Sequence, residues 1–135
     1  MKKLISIILS LCLLLTFAAA ENAPAVQETA EKTEMTEDER YDAGVEAVAA
    51  GDYGKAKELF EQGAEKGGVR APNGLGILYE QGLGVEQDFG KAAEYYRLSA
   101  DLGFDAAQYN LGTMYADGRG VEQSYEKARE YFHPG

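Results

Sequence analysis

The chain has very few of the residues on which metal sites and redox chemistry depend. Its 135 residues include one cysteine, one histidine, three prolines and no tryptophan. Cys12 and His133 lie at opposite ends of the sequence and cannot supply the four Cys or His ligands of a zinc site. Thirteen basic residues against 23 acidic ones give a formal net charge of −10, whereas phosphate binding requires clustered Lys and Arg. We therefore expect no metal, no cofactor and no nucleic-acid partner.

Residues 1–20 have the layout of a signal peptide. Lys2 and Lys3 precede an apolar run, which ends in the small residues Ala18, Ala19 and Ala20. A permanent membrane helix needs about 20 apolar residues, and this run is shorter. The pattern predicts an exported bacterial protein, periplasmic or secreted, with no membrane span after the signal is removed.

Cleavage after Ala20 would change both the cysteine count and the charge. It would remove Cys12 and two lysines, leaving no thiol and a formal net charge of −12. Lipid attachment at Cys12 is disfavoured because Leu11 stands where a lipoprotein signal has Gly, Ala or Ser. Residues 21–37 are acidic and contain few large apolar side chains, which predicts a disordered linker.

The remainder of the chain is built from repeats. Residues 71–96 are identical to residues 107–132 at 13 of 26 positions, at an offset of 36 residues. The same offset aligns Lys55 and Ala56 with Lys91 and Ala92 in an earlier unit, whose internal turn is four residues shorter. A period near 36 is typical of helical solenoids. The sequence thus predicts units over residues 38–70, 71–106 and 107–135, the last of them shortened.

Each unit carries the signals of two helices. Pro72 suits the first turn of a helix, and Gly82 and Gly118 suit the left-handed position that ends one. Asp88 and Ser124 are good N-cap residues for the second helix. Small residues mark the positions where two helices cross closely; they are Gly76, Ala92, Ala100, Gly112 and Ala128.

The two later units share the pattern L-G-x-x-Y-x-x-G-x-G-V-x-Q-[DS]-[FY]-x-K-A-x-x-Y-[YF], which resembles the Sel-one-like repeat of the tetratricopeptide superfamily. The first unit resembles a plain tetratricopeptide unit. The resemblance implies an all-α, right-handed solenoid of five to six helices. It also implies a scaffold for protein–protein contacts and not an enzyme.

In solenoids of this kind the first helix of each pair lines the concave surface, which is expected to bind a peptide or a partner protein. The candidate residues are the side chains of these helices that the helix-pair core does not require. They are Tyr41, Val45 and Val48, then Arg70, Asn73, Ile77 and Gln81, then Tyr109, Asn110, Thr113 and Asp117. Asn73 and Asn110 could hydrogen-bond a peptide backbone, and Arg70 could meet a carboxylate.

Two alternatives remain open. Some cysteine-rich secreted relatives are linked to β-lactam binding or hydrolysis, and Ser124 and Lys127 have the S-x-x-K spacing of a serine nucleophile and its lysine. Both residues also have structural explanations, as a helix cap and as the repeat equivalent of Lys91. The other alternative is self-association through the shortened third unit, whose apolar edge would otherwise stay uncovered.

Overall fold

The computed structural model describes residues 33–134, and this part of the chain forms six helices and no strand. The helices are α1 (Glu37–Ala49), α2 (Tyr53–Glu65), α3 (Ala71–Gln81), α4 (Phe89–Asp101), α5 (Asp105–Asp117) and α6 (Tyr125–Phe132). Consecutive helices pack against each other throughout. The predicted all-α solenoid of helix pairs is confirmed. The signal-peptide prediction and most of the linker prediction lie outside the described residues.

The helix ends follow the local sequence signals. Asp88 and Ser124 cap α4 and α6 by accepting backbone hydrogen bonds from the residue three positions on, and Gly82 and Gly118 end α3 and α5 in the left-handed conformation. Both pairs of predictions are confirmed. At the other end, Thr36 forms a capping box with Glu39. Helix α1 therefore begins at Glu37, inside the segment expected to be linker.

Within each repeat a glycine of the first helix lies against an aromatic ring of the second. A Cβ atom added to any of these glycines would overlap the ring at less than 3.0 Å. The pairs are Gly44 with Phe60, Gly76 with Tyr96, and Gly112 with Phe132. The predicted close crossing at small residues is thus confirmed, and the ring occupies the space that a larger side chain would need.

The second glycine of each Gly-x-Gly turn joins one repeat to the preceding one. Gly84 has a φ of +68° and lies against Tyr53, at the start of α2. Gly120 has a φ of +70° and lies against the backbone carbonyl of Phe89, at the start of α4. The equivalent aromatic residue of the third repeat, Tyr125, is 70% exposed. The glycine therefore serves both the turn and the joint between repeats.

The two end faces of the described array differ. The comparison is made two residues after the glycine that contacts the ring. At this position α3 and α5 have the buried residues Leu78 and Met114, whereas α1 has Glu46, which is exposed. At the other end α6 has 8 residues, against 13 in α2 and α4. Phe132 there is 39% exposed, whereas its equivalent Tyr96 is fully buried. Self-association through this C-terminal face stays a prediction.

The joint between repeats can be tested with glycine substitutions. Gly120→Ala and Gly103→Ala both force alanine into a left-handed conformation, but only at Gly120 does a Cβ meet neighbouring backbone. We expect Gly120→Ala to lower the free energy of unfolding by about 1–3 kcal/mol more than Gly103→Ala does. Urea denaturation followed by circular dichroism measures both. Equal losses would contradict the proposed role of Gly120 in the joint.

Candidate functional site

The first helices of successive repeats contact each other directly. Helix α1 packs against α3, and the side-chain amide of Asn110 on α5 donates a 3.0 Å hydrogen bond to the Asn73 oxygen on α3. Helices α1, α3 and α5 therefore form one continuous surface, here called the first-helix face. The residues predicted from the sequence to bind a partner lie on this face or beside it.

Arg70 lies just before α3 and ties it to α1. Its guanidinium donates to Asp38 at 2.8 Å and to Asp42 at 3.2 Å, and it lies 4.1 Å from the centre of the Tyr41 ring. We call Arg70, Asp38 and Asp42 the Arg70 cluster. A ligand carboxylate would have to displace these contacts in order to reach the guanidinium. The sequence predicted a candidate ligand contact here, and the structure shows a contact between repeats.

An apolar hollow opens between the first two repeats. It has a volume of about 110 Å³. Its walls are Tyr41, Val45 and Val48 of α1, Phe60 of α2, and Gly74 and Ile77 of α3. Val45, at 46% exposure, forms part of its rim. Gly74 lies directly against the Phe60 ring, since a Cβ at this position would overlap the ring at less than 3.0 Å.

Most of the equivalent positions between the second and third repeats carry polar side chains. Asn110 stands in the place of Gly74 and donates its hydrogen bond to Asn73. Asn73 is only 3% exposed, so the pair holds the two helices together. Contact of either amide with a ligand stays a prediction, and Asn73 would have to be uncovered first.

A buried tyrosine of α4 contacts an acidic side chain of α3. The Tyr96 hydroxyl donates to Glu80, which also accepts a 3.1 Å hydrogen bond from Arg119. Arg119 pairs in addition with Asp117 at 3.2 Å; we call Arg119, Glu80 and Asp117 the Arg119 cluster. Burial, followed by the hydrogen bond to Glu80, raises the pKa of Tyr96 far above its usual range. Tyr96 therefore stays a neutral donor at physiological pH.

The remaining predicted residues lie along the open part of the face. Gln81 is exposed at the end of α3. Tyr109 is 65% exposed, with its ring 5.6 Å from that of Phe132. Thr113 is half-buried and donates to the Tyr109 carbonyl at 3.0 Å. Gln81 and Tyr109 are thus accessible to a partner.

The S-x-x-K pair takes part in helix structure. Ser124 Oγ accepts the Lys127 backbone N–H at 3.2 Å as the α6 cap. The Lys127 ammonium lies 5.3 Å from the centre of the Tyr115 ring, as Lys91 does over Tyr79 at 5.2 Å. The structural explanation of both residues is confirmed, since the same arrangement recurs in two repeats.

None of the helices in residues 33–134 is both long enough and apolar enough to span a bilayer. Within the same residues no three His, Cys, Asp or Glu side chains come together as a metal would require.

The stacked helix pairs and the continuous face of first helices define an α-solenoid of the tetratricopeptide-like class. The family model of the Sel1 repeat matches residues 40–68, 70–104 and 105–134. The chain belongs to the Sel1 repeat family, whose members are typically non-catalytic scaffolds for protein–protein interaction.

Several solved structures are similar to the chain. A Sel1 repeat protein from Oxalobacter formigenes has a TM-score of 0.64 at 32% identity, over 67% of this chain and 37% of its own length. A protective antigen present in uropathogenic Escherichia coli strains, displaying an SLR fold, has a TM-score of 0.64 at 36% identity. The match covers 72% of this chain and 22% of the antigen's own length. The chain thus spans well under half of either protein. No curated protein matches it.

Sequence reasoning missed several residues that form or support this face. Phe60 and Gly74, which shape the hollow, were not predicted, and neither was the contact of Tyr96 with Glu80. A signal was available in the repeat alignment, because Phe60 and Tyr96 are equivalent but differ by one hydroxyl. An extra hydroxyl at a buried position requires a hydrogen-bond partner.

The hydrogen bond between Tyr96 and Glu80 yields a prediction with a defined pH dependence. We expect Tyr96→Phe to lower the free energy of unfolding by about 2 kcal/mol at neutral pH. This contribution is present in full below the unfolded tyrosine pKa of about 10. It declines as the pH rises above that value, because the unfolded chain releases the proton while the folded chain keeps it.

Urea denaturation at neutral and alkaline pH measures this contribution. Tyr109→Phe is the matched control, since this side chain is 65% exposed, and it should leave the stability nearly unchanged. A Tyr96→Phe variant as stable as the parent at neutral pH would show that the hydrogen bond contributes nothing.

Proposed function

We propose that the chain is an exported scaffold that binds an extended peptide or a loop of a partner protein along the first-helix face. The observation that carries the proposal is the apolar hollow between α1, α2 and α3. An open depression lined by apolar side chains can receive an anchor residue of a partner, which buries these side chains on binding. Interfaces typically surround such an anchor with polar groups, and the Arg70 cluster lies beside one wall of the hollow.

Several observations support this face over other surfaces. Val45 and Ile77 line the hollow, and Tyr109 presents an exposed ring further along the same face. Exposed tyrosine is a frequent contact residue in protein interfaces because it offers a large area with few rotatable bonds. The second helices use their small residues for packing inside the array.

A capture experiment tests the assignment of the binding face. The chain without residues 1–20 is immobilised and exposed to extract of its own cells, and the retained proteins are identified by mass spectrometry. The double variant Val45→Gln, Tyr109→Gln should lose the specific partner, with affinity lowered by about tenfold or more. The measurement is the amount of that partner retained, relative to the parent chain.

The matched control is Leu98→Gln, Leu102→Gln, which replaces two exposed apolar residues of α4 and the turn that follows it. It should retain the partner as well as the parent does. The face would be wrongly assigned if the two double variants retained equal amounts.

Export is proposed on the pattern of residues 1–20, with cleavage after Ala20. We expect the protein recovered from the periplasm or the medium to begin at Glu21. N-terminal sequencing of protein from separated cell fractions measures this. A chain that still carries residues 1–20 and stays in the cytoplasmic fraction would contradict the proposal, and Ala18→Arg provides a processing-deficient control.

A further inference from the structure

Charge is divided unequally between the first and the second helices. Helices α1, α3 and α5 contain eight acidic residues and one basic residue, Arg40, which is 5% exposed. Helices α2, α4 and α6 contain seven acidic and six basic residues. The negative charge of the described array is thus concentrated on the helices that form the proposed binding face.

The arginines in the adjoining loops do not cancel this charge. Each of them is shared between two carboxylates, in the Arg70 cluster and in the Arg119 cluster. Each cluster therefore keeps a formal charge of −1. In the Arg70 cluster the carboxylates of Asp38 and Asp42 are 77% and 67% exposed, against 32% for Arg70. The uncompensated charge is presented to solvent.

The Arg70 cluster adjoins the apolar hollow. Tyr41 forms one wall and carries Arg70 over its ring, so the Arg70 cluster adjoins that wall. Ile77 forms another wall, and Glu80 of the Arg119 cluster follows it by about one helical turn on α3. An aliphatic slot with the acidic Arg70 cluster beside it complements a segment that combines one aliphatic side chain with basic neighbours.

We propose that the hollow receives a Leu, Ile or Val side chain from a partner protein segment rich in Lys and Arg. This inference rests on the proposed function and specifies the chemistry of the partner. The hollow, at about 110 Å³, is large enough for one aliphatic side chain. The acidic face attracts the basic segment over a distance set by the ionic strength. A second copy of this acidic chain lacks that complementarity.

Labelled peptides test the chemistry directly. The chain without residues 1–20 is titrated into fluorescein-labelled Lys-Lys-Leu-Lys-Lys, Lys-Lys-Ser-Lys-Lys and Glu-Glu-Leu-Glu-Glu, and binding is followed by fluorescence anisotropy. The basic leucine peptide should bind at least about tenfold more tightly than either of the others. Its affinity should fall when the salt concentration is raised from about 50 to about 300 mM, because screening weakens charge attraction.

A pair of variants locates the binding. Val45→Lys places a positive charge at the rim of the hollow, whereas Leu102→Lys makes the same change of charge at a residue of similar exposure outside the first-helix face. Val45→Lys should weaken binding of the basic leucine peptide by about tenfold, and Leu102→Lys by less than about twofold. Circular dichroism verifies that both variants are folded.

Several outcomes would overturn the inference. Equal affinity for the three peptides, absence of binding, or equal effects of the two variants would each do so. A dimer in sedimentation velocity that Val45→Lys dissociates would identify a second copy as the occupant instead. If a partner is captured through the first-helix face but the peptides show no basic preference, the proposed function stands and this inference fails. If the amount of captured partner does not depend on the first-helix face, the proposed function itself fails.

Discussion

The close crossing of the two helices in each repeat is the constraint on which the other features depend. A first-helix glycine receives the ring of a second-helix aromatic residue in all three repeats. Because the glycine has no side chain, the ring can pack against its backbone and the two helices can cross closely. The ring is buried in the first two repeats, each of which is followed by another repeat, and is partly exposed in the third. The joints at Gly84 and Gly120 then stack successive repeats, so that α1, α3 and α5 form a continuous face.

A difference between two repeats, Phe60 in the first and Tyr96 in the second, gives the two joints between repeats different properties. Where the crossing aromatic is Phe60, apolar residues of α1 and α3 line a hollow beside it. Where it is Tyr96, its hydroxyl requires an acceptor, which Glu80 provides, and Asn110 fills the place of the glycine. The same backbone arrangement thus yields an open apolar depression in one joint and a polar contact in the other. The binding proposals concern the open one.

Much of the fold follows from signals that act within a few residues. The caps Asp88 and Ser124 and the terminal glycines Gly82 and Gly118 are local, because each satisfies backbone groups of its own helix. The repeat period adds the pairing of helices. The site residues were predicted less completely. Arg70 was predicted as a ligand contact, but its hydrogen bonds to Asp38 and Asp42 were not predicted. Asp38 and Asp42 lie about 30 residues earlier, and no local pattern links them to Arg70.

The sequence alone determined the helix pairs, their caps and the membership of a repeat family, because these depend on residue spacing and on backbone geometry within one unit. The tertiary structure decided which polar residues remain available to a partner. Asn73 and Arg70 look exposed when each helix is considered by itself, but contacts between repeats bury the amide and neutralise the guanidinium. Only the packing of α1, α2 and α3 creates the hollow, since its walls come from three helices.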